Sequence, residues 1–322
     1  MTIGIDQQNI KSKDFSIVIQ GPIIKDYTKS KTTTIDCINS VRKILPESEI
    51  ILSTWEGEDV SSLEADKFIF NIDPGAVSYN NSNFKNTFNN NNRQIVSTFN
   101  GLKVAERKYA IKMRGDCIMN NNSFLTFLNG YPQQLEFQIL EQKVLVLSTG
   151  TRDVRRIPIM CHVCDLVQIG LTKDLISIWD IPLQKEPETT QFKPEGYSAL
   201  VDPYPQNNYR FRYASEQYII VEFARKFNID FSLDFYTDLS LKKLLISEEF
   251  IISNFISVEP HLLGFTIPER ILKSVKPSQT ISYEKWIRLY TKYKHSNKFF
   301  VRLNLIVAAL ASRAWYIRFK LF

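Results

Sequence analysis

The sequence predicts an α/β fold in which a mostly parallel sheet is flanked by helices and followed by a helical, basic C-terminal region. Three observations carry this expectation. Short β-rich apolar runs alternate with stretches of helical period through the first half of the chain. Gly and Pro punctuate the joints, and strands alternating with helices imply right-handed βαβ crossovers with both sheet faces covered. Composition agrees: of 322 residues, 44% are hydrophobic, 23% charged and 12% aromatic, and there are 4 cysteines. That profile excludes a disordered tail, a collagen-like fibre and a disulfide scaffold, and the length allows one large domain or two ordinary ones.

The elements follow in order. Phe15–Gln20 reads as a buried strand closed by Gly21 and Pro22. Ser30–Leu45 carries Ile35, Ile38, Val41 and Leu45 at helical spacing and stops at Pro46. Glu49–Ser53 and Lys67–Asn71 read as the second and third strands, the latter ended by Asp73, Pro74 and Gly75. In Asn80–Asn92 eight of 13 residues are asparagine, without apolar periodicity, which reads as a solvated loop. Arg93–Arg107 recovers a helical period, Tyr109–Met113 is a fourth strand and Lys143–Leu147 a fifth. Pro158–Ile169 reads as another strand, Thr172–Trp179 as a helix, and Pro182–Tyr209, with five prolines, as a long loop. Ser215–Phe227 is helical, and short helices continue over Leu239–Ile256.

Charge is unevenly spread. Phe265–Phe322 holds 12 Lys and Arg against 2 Asp and Glu, leaving 28 against 32 in the rest of the chain. A weakly acidic body with a basic end does not suit a general nucleic-acid binder and does suit contact with an anionic lipid surface. Leu303, Ile306, Leu310, Ala314, Ile317 and Leu321 follow helical spacing, with Arg302, Arg313 and Lys320 beside them, a pattern for an interfacial helix. Met1–Asp6 shows no basic stretch leading into an apolar core, and no run approaches the ~20 apolar residues of a membrane span. With unpaired cysteines, the expectation is a cytoplasmic chain, peripheral on the inner face of the bacterial cytoplasmic membrane.

In an open α/β sheet, ligands bind beyond the carboxyl ends of the strands. Those ends offer Gln20, Gly21 and Pro22; Thr54, Trp55 and Glu56; Asn71 and Asp73; Arg114 and Asp116. Amides, an aromatic face, carboxylates and a guanidinium on one edge suit a nucleotide. Neither GxGxxG nor GxxxxGK[ST] follows the first strand, so a dinucleotide oxidoreductase or P-loop kinase is unsupported. Cys161 and Cys164 form C-x-x-C, but no second cysteine pair completes a zinc site and a redox dithiol belongs at a helix start. Both read as buried small residues.

The run Arg93–Ala105 followed by Tyr109–Asp116 resembles the helix-then-strand unit of GT-A glycosyltransferases, where the strand ends in Asp-x-Asp. More closely, Phe15–Pro22, Ile51–Glu56, Asn92-Arg93-Gln94, His162–Asp165 and Trp179–Pro182 resemble the WavE lipopolysaccharide-synthesis family, over about 15–227. The resemblance implies a GT-A-like, Rossmann-related catalytic domain over 1–235, with a nucleotide-binding half at about 14–150 and an acceptor half at about 151–235. The helical C-terminal region is then 236–322. It implies a hexosyltransferase, inverting, that moves a sugar from a nucleotide donor to a saccharide or lipid-linked acceptor in lipopolysaccharide or capsule synthesis.

Site roles follow from the resemblance. Asp116 alone survives of the Asp-x-Asp motif, because Arg114 stands at the first position. Asp116 would ligate Mg²⁺ or Mn²⁺, and Arg114 would bond the diphosphate. Arg93 and Gln94 join the donor contacts. Glu216, at a helix start after the long loop, is the candidate base, with Asp165 as runner-up. His162, Arg210 and Arg212 are candidate acceptor or phosphate contacts. Two other readings stay open: a sugar nucleotidyltransferase of related fold, and a non-catalytic carbohydrate-binding or assembly protein. The missing Gly-rich, Lys/Arg-bearing loop after the first strand argues against the former.

Overall fold

The computed structural model describes residues 10–28, 30–78, 88–132, 134–157, 159–185, 212–233 and 241–321. A seven-stranded sheet forms the centre. Its strands are β1 (Phe15–Gln20), β2 (Glu49–Trp55), β3 (Lys67–Asn71), β6 (Tyr109–Arg114), β8 (Val144–Leu147), β9 (Val167–Leu171) and β10 (Phe255–Val258), in spatial order β10-β8-β9-β6-β1-β2-β3. β1 pairs in parallel with β2 and β6, β2 with β3, and β8 with β10. β9 alone is reversed, antiparallel to both β6 and β8. Two small antiparallel pairs lie outside the sheet, β4 (Val77–Ser78) with β5 (Phe88–Asn89) and β7 (Ile118–Met119) with β11 (Phe265–Thr266).

The helices are α1 (Thr34–Ile44), α2 (Asn91–Lys103), α3 (Thr172–Trp179), α4 (Ser215–Arg225), α5 (Leu241–Asn254), α6 (Pro260–Leu263), α7 (Glu269–Ser274), α8 (Tyr283–His295) and α9 (Lys298–Leu321). β1 is buried along its whole length, as a central strand covered on both faces must be. α1 begins at Thr34 rather than Ser30 because Thr33 and Asp36 close a capping box, with Thr33 N–H donating to Asp36 Oδ2 at 2.8 Å. α2 lies so close on β1 and β2 that a Cβ on Gly101 would stand 2.5 Å from Val18 Cγ1.

Two expectations from the sequence need correction. The strand expected over Pro158–Ile169 forms only from Val167. The preceding residues Ile159, Met160, Cys161, Val163 and Cys164 are apolar because they are buried, not because they pair in a sheet. Cys161 at φ 53° breaks any extended run there. The short helices expected over Leu239–Ile256 are one helix, α5, running straight into β10, which adds an edge strand beside β8. A short apolar run appended to a helix carries no period of its own to reveal it.

The C-terminal region is mainly helical and shares the core of the sheet, with Trp286, Tyr293, Val301 and Leu305 in the same hydrophobic cluster as β1 and β6. Arg155 ties it to the body through two bonds to Glu248 of α5, 2.6 and 2.7 Å, and one to Asn304 of α9, 2.6 Å. Tyr293 OH also donates to Glu248, at 2.8 Å.

Candidate functional site

A cleft of about 850 Å³ opens at the carboxyl edge of the sheet. Gln20, Gly21 and Pro22 reach it from the end of β1, Trp55 from β2, and Arg114, Gly115 and Asp116 from β6. β9 is reversed, so its entry rather than its exit lies at this edge, and that brings His162, Cys164 and Asp165 into the wall. Lys112 of β6 fixes this entry: fully buried, it donates Nζ to the Asp165 carbonyl and lies 4.8 Å from the Trp179 ring centre. Burial lowers its pKa to about 8 against the opposing pull of Asp165.

Asp116 is almost wholly buried. Its Oδ2 accepts from Arg114 Nη2 at 2.7 Å and from Arg270 Nη2 at 3.0 Å, while Oδ1 is buried without a partner among the described residues. Arg152, just past β8, also lines the cleft, and its buried Nε has no hydrogen-bond partner among the described residues. Among the described residues no group of three or more His, Cys, Asp or Glu side chains is arranged to hold a metal ion. Two guanidiniums thus share one carboxylate oxygen and a third lines the same cleft, a set of donors suited to an anion.

Glu216 lies in the first turn of α4, where Ala214 N–H donates to Gln217 Oε1 at 2.9 Å. Glu216 Oε2 stands 3.4 Å from His162 Nε2, and His162 Nδ1 lies 2.8 Å from the Gly150 carbonyl. A carbonyl only accepts, so Nδ1 carries the hydrogen and Nε2 is the nitrogen turned to Glu216. Gly150 also packs closely on Cys164, where an added Cβ would stand 2.8 Å from Sγ and 3.1 Å from Cα.

Other lining residues brace one another. Arg93 forks onto Asp73 at 2.7 and 2.6 Å, which holds the Asp73 carboxyl below its ordinary pKa. Gln94 donates to Asp165, and Ser97 Oγ donates to Gln20 Oε1 at 2.8 Å. The described end of the asparagine-rich run is not a solvated loop. Asn89, Asn91 and Asn92 are buried, and their side-chain amides donate to Gln184 at 3.0, 3.2 and 2.9 Å.

Three residues expected in the site lie elsewhere. Thr54 is fully buried on the strand, Glu56 is exposed in the turn after β2, and Arg212 bonds the Leu233 carbonyl beside Tyr213. Arg210 and most of Pro182–Tyr209 lie outside the described residues. Cys161 and Cys164 are buried free thiols, each pushed up to about 12 by burial. Sequence reasoning missed Arg152 and Arg270. Arg152 follows the fifth strand at the same sheet edge, a signal that was available; Arg270 gave none, as it returns to the cleft on α7 from 154 positions away.

Fold and cleft together define an α/β protein with an arginine- and carboxylate-lined cleft at the carboxyl edge of its sheet. The family model for WavE lipopolysaccharide synthesis matches residues 15–314, nearly the whole chain, and the chain belongs to that family. Membership ties it to lipopolysaccharide synthesis. Comparison with curated proteins finds no match. Among solved structures, a Bacillus anthracis protein described as a glucose-1-phosphate thymidylyltransferase, crystallised with sucrose, is 11% identical, with 52% of this chain and 75% of that chain covered at a TM-score of 0.30.

Proposed function

We propose that the chain is a nucleotide-sugar-dependent glycosyltransferase of lipopolysaccharide synthesis that inverts configuration with Glu216 as base. The observation that supports this best is the pairing, in one cleft, of a carboxylate backed by an oriented histidine with a cluster of arginines. The acceptor hydroxyl gives its proton to Glu216 while its oxygen forms a bond to the anomeric carbon. The bond from that carbon to the diphosphate breaks, and its electron pair leaves with the nucleoside diphosphate beside the guanidiniums. His162 Nε2, 3.4 Å from Glu216, is within reach of the proton Glu216 takes up. Trp55 supplies a face for the base, and Asp73 with Gln20 supplies acceptors for ribose hydroxyls.

Activity is measured as nucleoside diphosphate release from a panel of nucleotide sugars with truncated lipopolysaccharide as acceptor. Glu216→Gln is expected to lower kcat roughly 10²–10⁴-fold while leaving the donor dissociation constant within about twofold. Equal loss of both rejects Glu216 as base.

The same proposal puts the acceptor on a lipid surface at the inner face of the membrane, met by the C-terminal region. No described helix is long and apolar enough to cross a membrane. α9 nevertheless leaves Phe299, Phe300, Leu303, Val307 and Leu310 exposed on one side.

A further inference from the structure

The cleft's cation set has a composition that a divalent-metal site would not need. Asp116 is one buried carboxylate shared by two guanidiniums, Arg114 and Arg270, both on Oδ2. Arg152 adds a third guanidinium to the cleft, with no ion pair among the described residues. Within the set of Arg114, Arg152, Arg270 and Asp116, three guanidiniums meet one carboxylate, a local surplus that matches the doubly negative pyrophosphate of a nucleotide sugar; Arg93, Asp73, Asp165 and Glu216 line the same cleft, with Arg93 paired to Asp73. A divalent cation at the free Oδ1 would instead face like charge from both arginines on the same carboxylate. Arg114 sits on a strand end, whereas the Arg270 side chain is 61% exposed on α7, which the Lys31–Glu269 ion pair at 2.5 Å fastens to the loop after β1. Ile271, Ser274 and Val275 of the same segment also line the cleft.

We propose that Arg114, Arg152 and Arg270 hold the donor's pyrophosphate in place of a divalent metal ion, Asp116 serving to aim two of the three. The proposal rests on the donor-cleft reading above. A guanidinium presents paired N–H groups that match two phosphate oxygens, so charge and geometry come from the same side chains. Arg270 makes the 265–280 segment part of the donor site rather than an appendage to it.

Titration calorimetry with inorganic pyrophosphate and with the diphosphates of uridine, guanosine, cytidine and adenosine tests this, each in EDTA and in excess MgCl₂ or MnCl₂. At least one of these ligands is expected to bind in EDTA, with affinity within about twofold of that in metal. Arg152→Ala and Arg270→Ala should each weaken it about tenfold or more, and Arg270→Lys should recover only part. Both side chains lie at the cleft surface, and circular dichroism checks that the variants stay folded. A requirement for metal, or indifference to either alanine substitution, overturns the clamp and leaves the donor cleft standing. No binding of any of these ligands in either buffer overturns the clamp together with the donor-cleft reading.

Discussion

Glu49 opens β2 from inside the protein and is kept charged by three donors. Lys67 Nζ stands 2.7 Å from Oε1, and Oε2 accepts from Ser16 Oγ at 2.5 Å and from the Glu106 N–H at 3.1 Å. Burial pushes the carboxyl up, but the bonds from Lys67, Ser16 and Glu106 outweigh it and the folded-state pKa lies below the ordinary value. The unfolded chain therefore binds more protons on the acid side. The stabilisation is complete above an unfolded pKa of about 4.3 and is lost as pH falls through the lower folded value. Glu49→Gln is expected to cost roughly 1–3 kcal/mol near neutral pH, because charged hydrogen bonds become neutral ones. In thermal melts between pH 3 and 8, the gap between wild type and variant should be constant at the upper end and close on acidification. A gap that widens toward acid would refute the assignment.

Packing of α2 on the sheet sets a second limit, carried by one glycine. An alanine at Gly101 would bring its Cβ within 2.5 Å of Val18 Cγ1 and 3.0 Å of Ser53 Cβ. Overpacking costs roughly 1–3 kcal/mol, while Gly→Ala in a helix interior returns about 1 kcal/mol. The balance is a net loss, expected as a melting temperature a few degrees lower for Gly101→Ala; a higher one would mean that α2 moves off the strands at no cost. Much at this scale was legible in the sequence. β1, β3 and α3 coincide residue for residue with the runs Phe15–Gln20, Lys67–Asn71 and Thr172–Trp179; in β1 and α3 burial and pattern say the same thing, while β3 is a half-buried edge strand found from its short apolar run. The segment before β9 reads as a strand in the sequence only because burial makes Met160, Cys161, Val163 and Cys164 apolar. A strand reading would have turned His162 and Asp165 to opposite faces; the irregular path puts both in one cleft.

Most of the candidate site was legible from the rule that parallel strands deliver ligand contacts at their carboxyl ends, which found Gln20, Trp55, Arg114 and Asp116. Arg270 was not, because its place depends on how the 259–280 segment folds back across the sheet edge, and no local pattern encodes that return. The same region carries the charge surplus of 12 Lys and Arg against 2 Asp and Glu. α9 buries Val301, Leu305 and Ala309 against the body and leaves Phe299, Phe300, Leu303, Val307 and Leu310 outside. Lys298 and Arg302, however, turn inward to Glu249 at 2.8 and 3.3 Å, so the cations available to a lipid surface come largely from elsewhere in the region. Each apolar side chain that enters the interface contributes on the order of 1 kcal/mol, and each free Lys or Arg near anionic lipid about as much. The protein is therefore expected to sediment with phosphatidylglycerol vesicles, weakly with phosphatidylcholine, and less as salt rises. Replacing Phe300, Leu303 and Leu310 together with Ser should lower vesicle binding about tenfold or more without lowering the melting temperature, since all three are exposed. If the triple variant binds vesicles unchanged but turns a dimer into a monomer in analytical ultracentrifugation, this face meets a second copy of the chain instead of a bilayer.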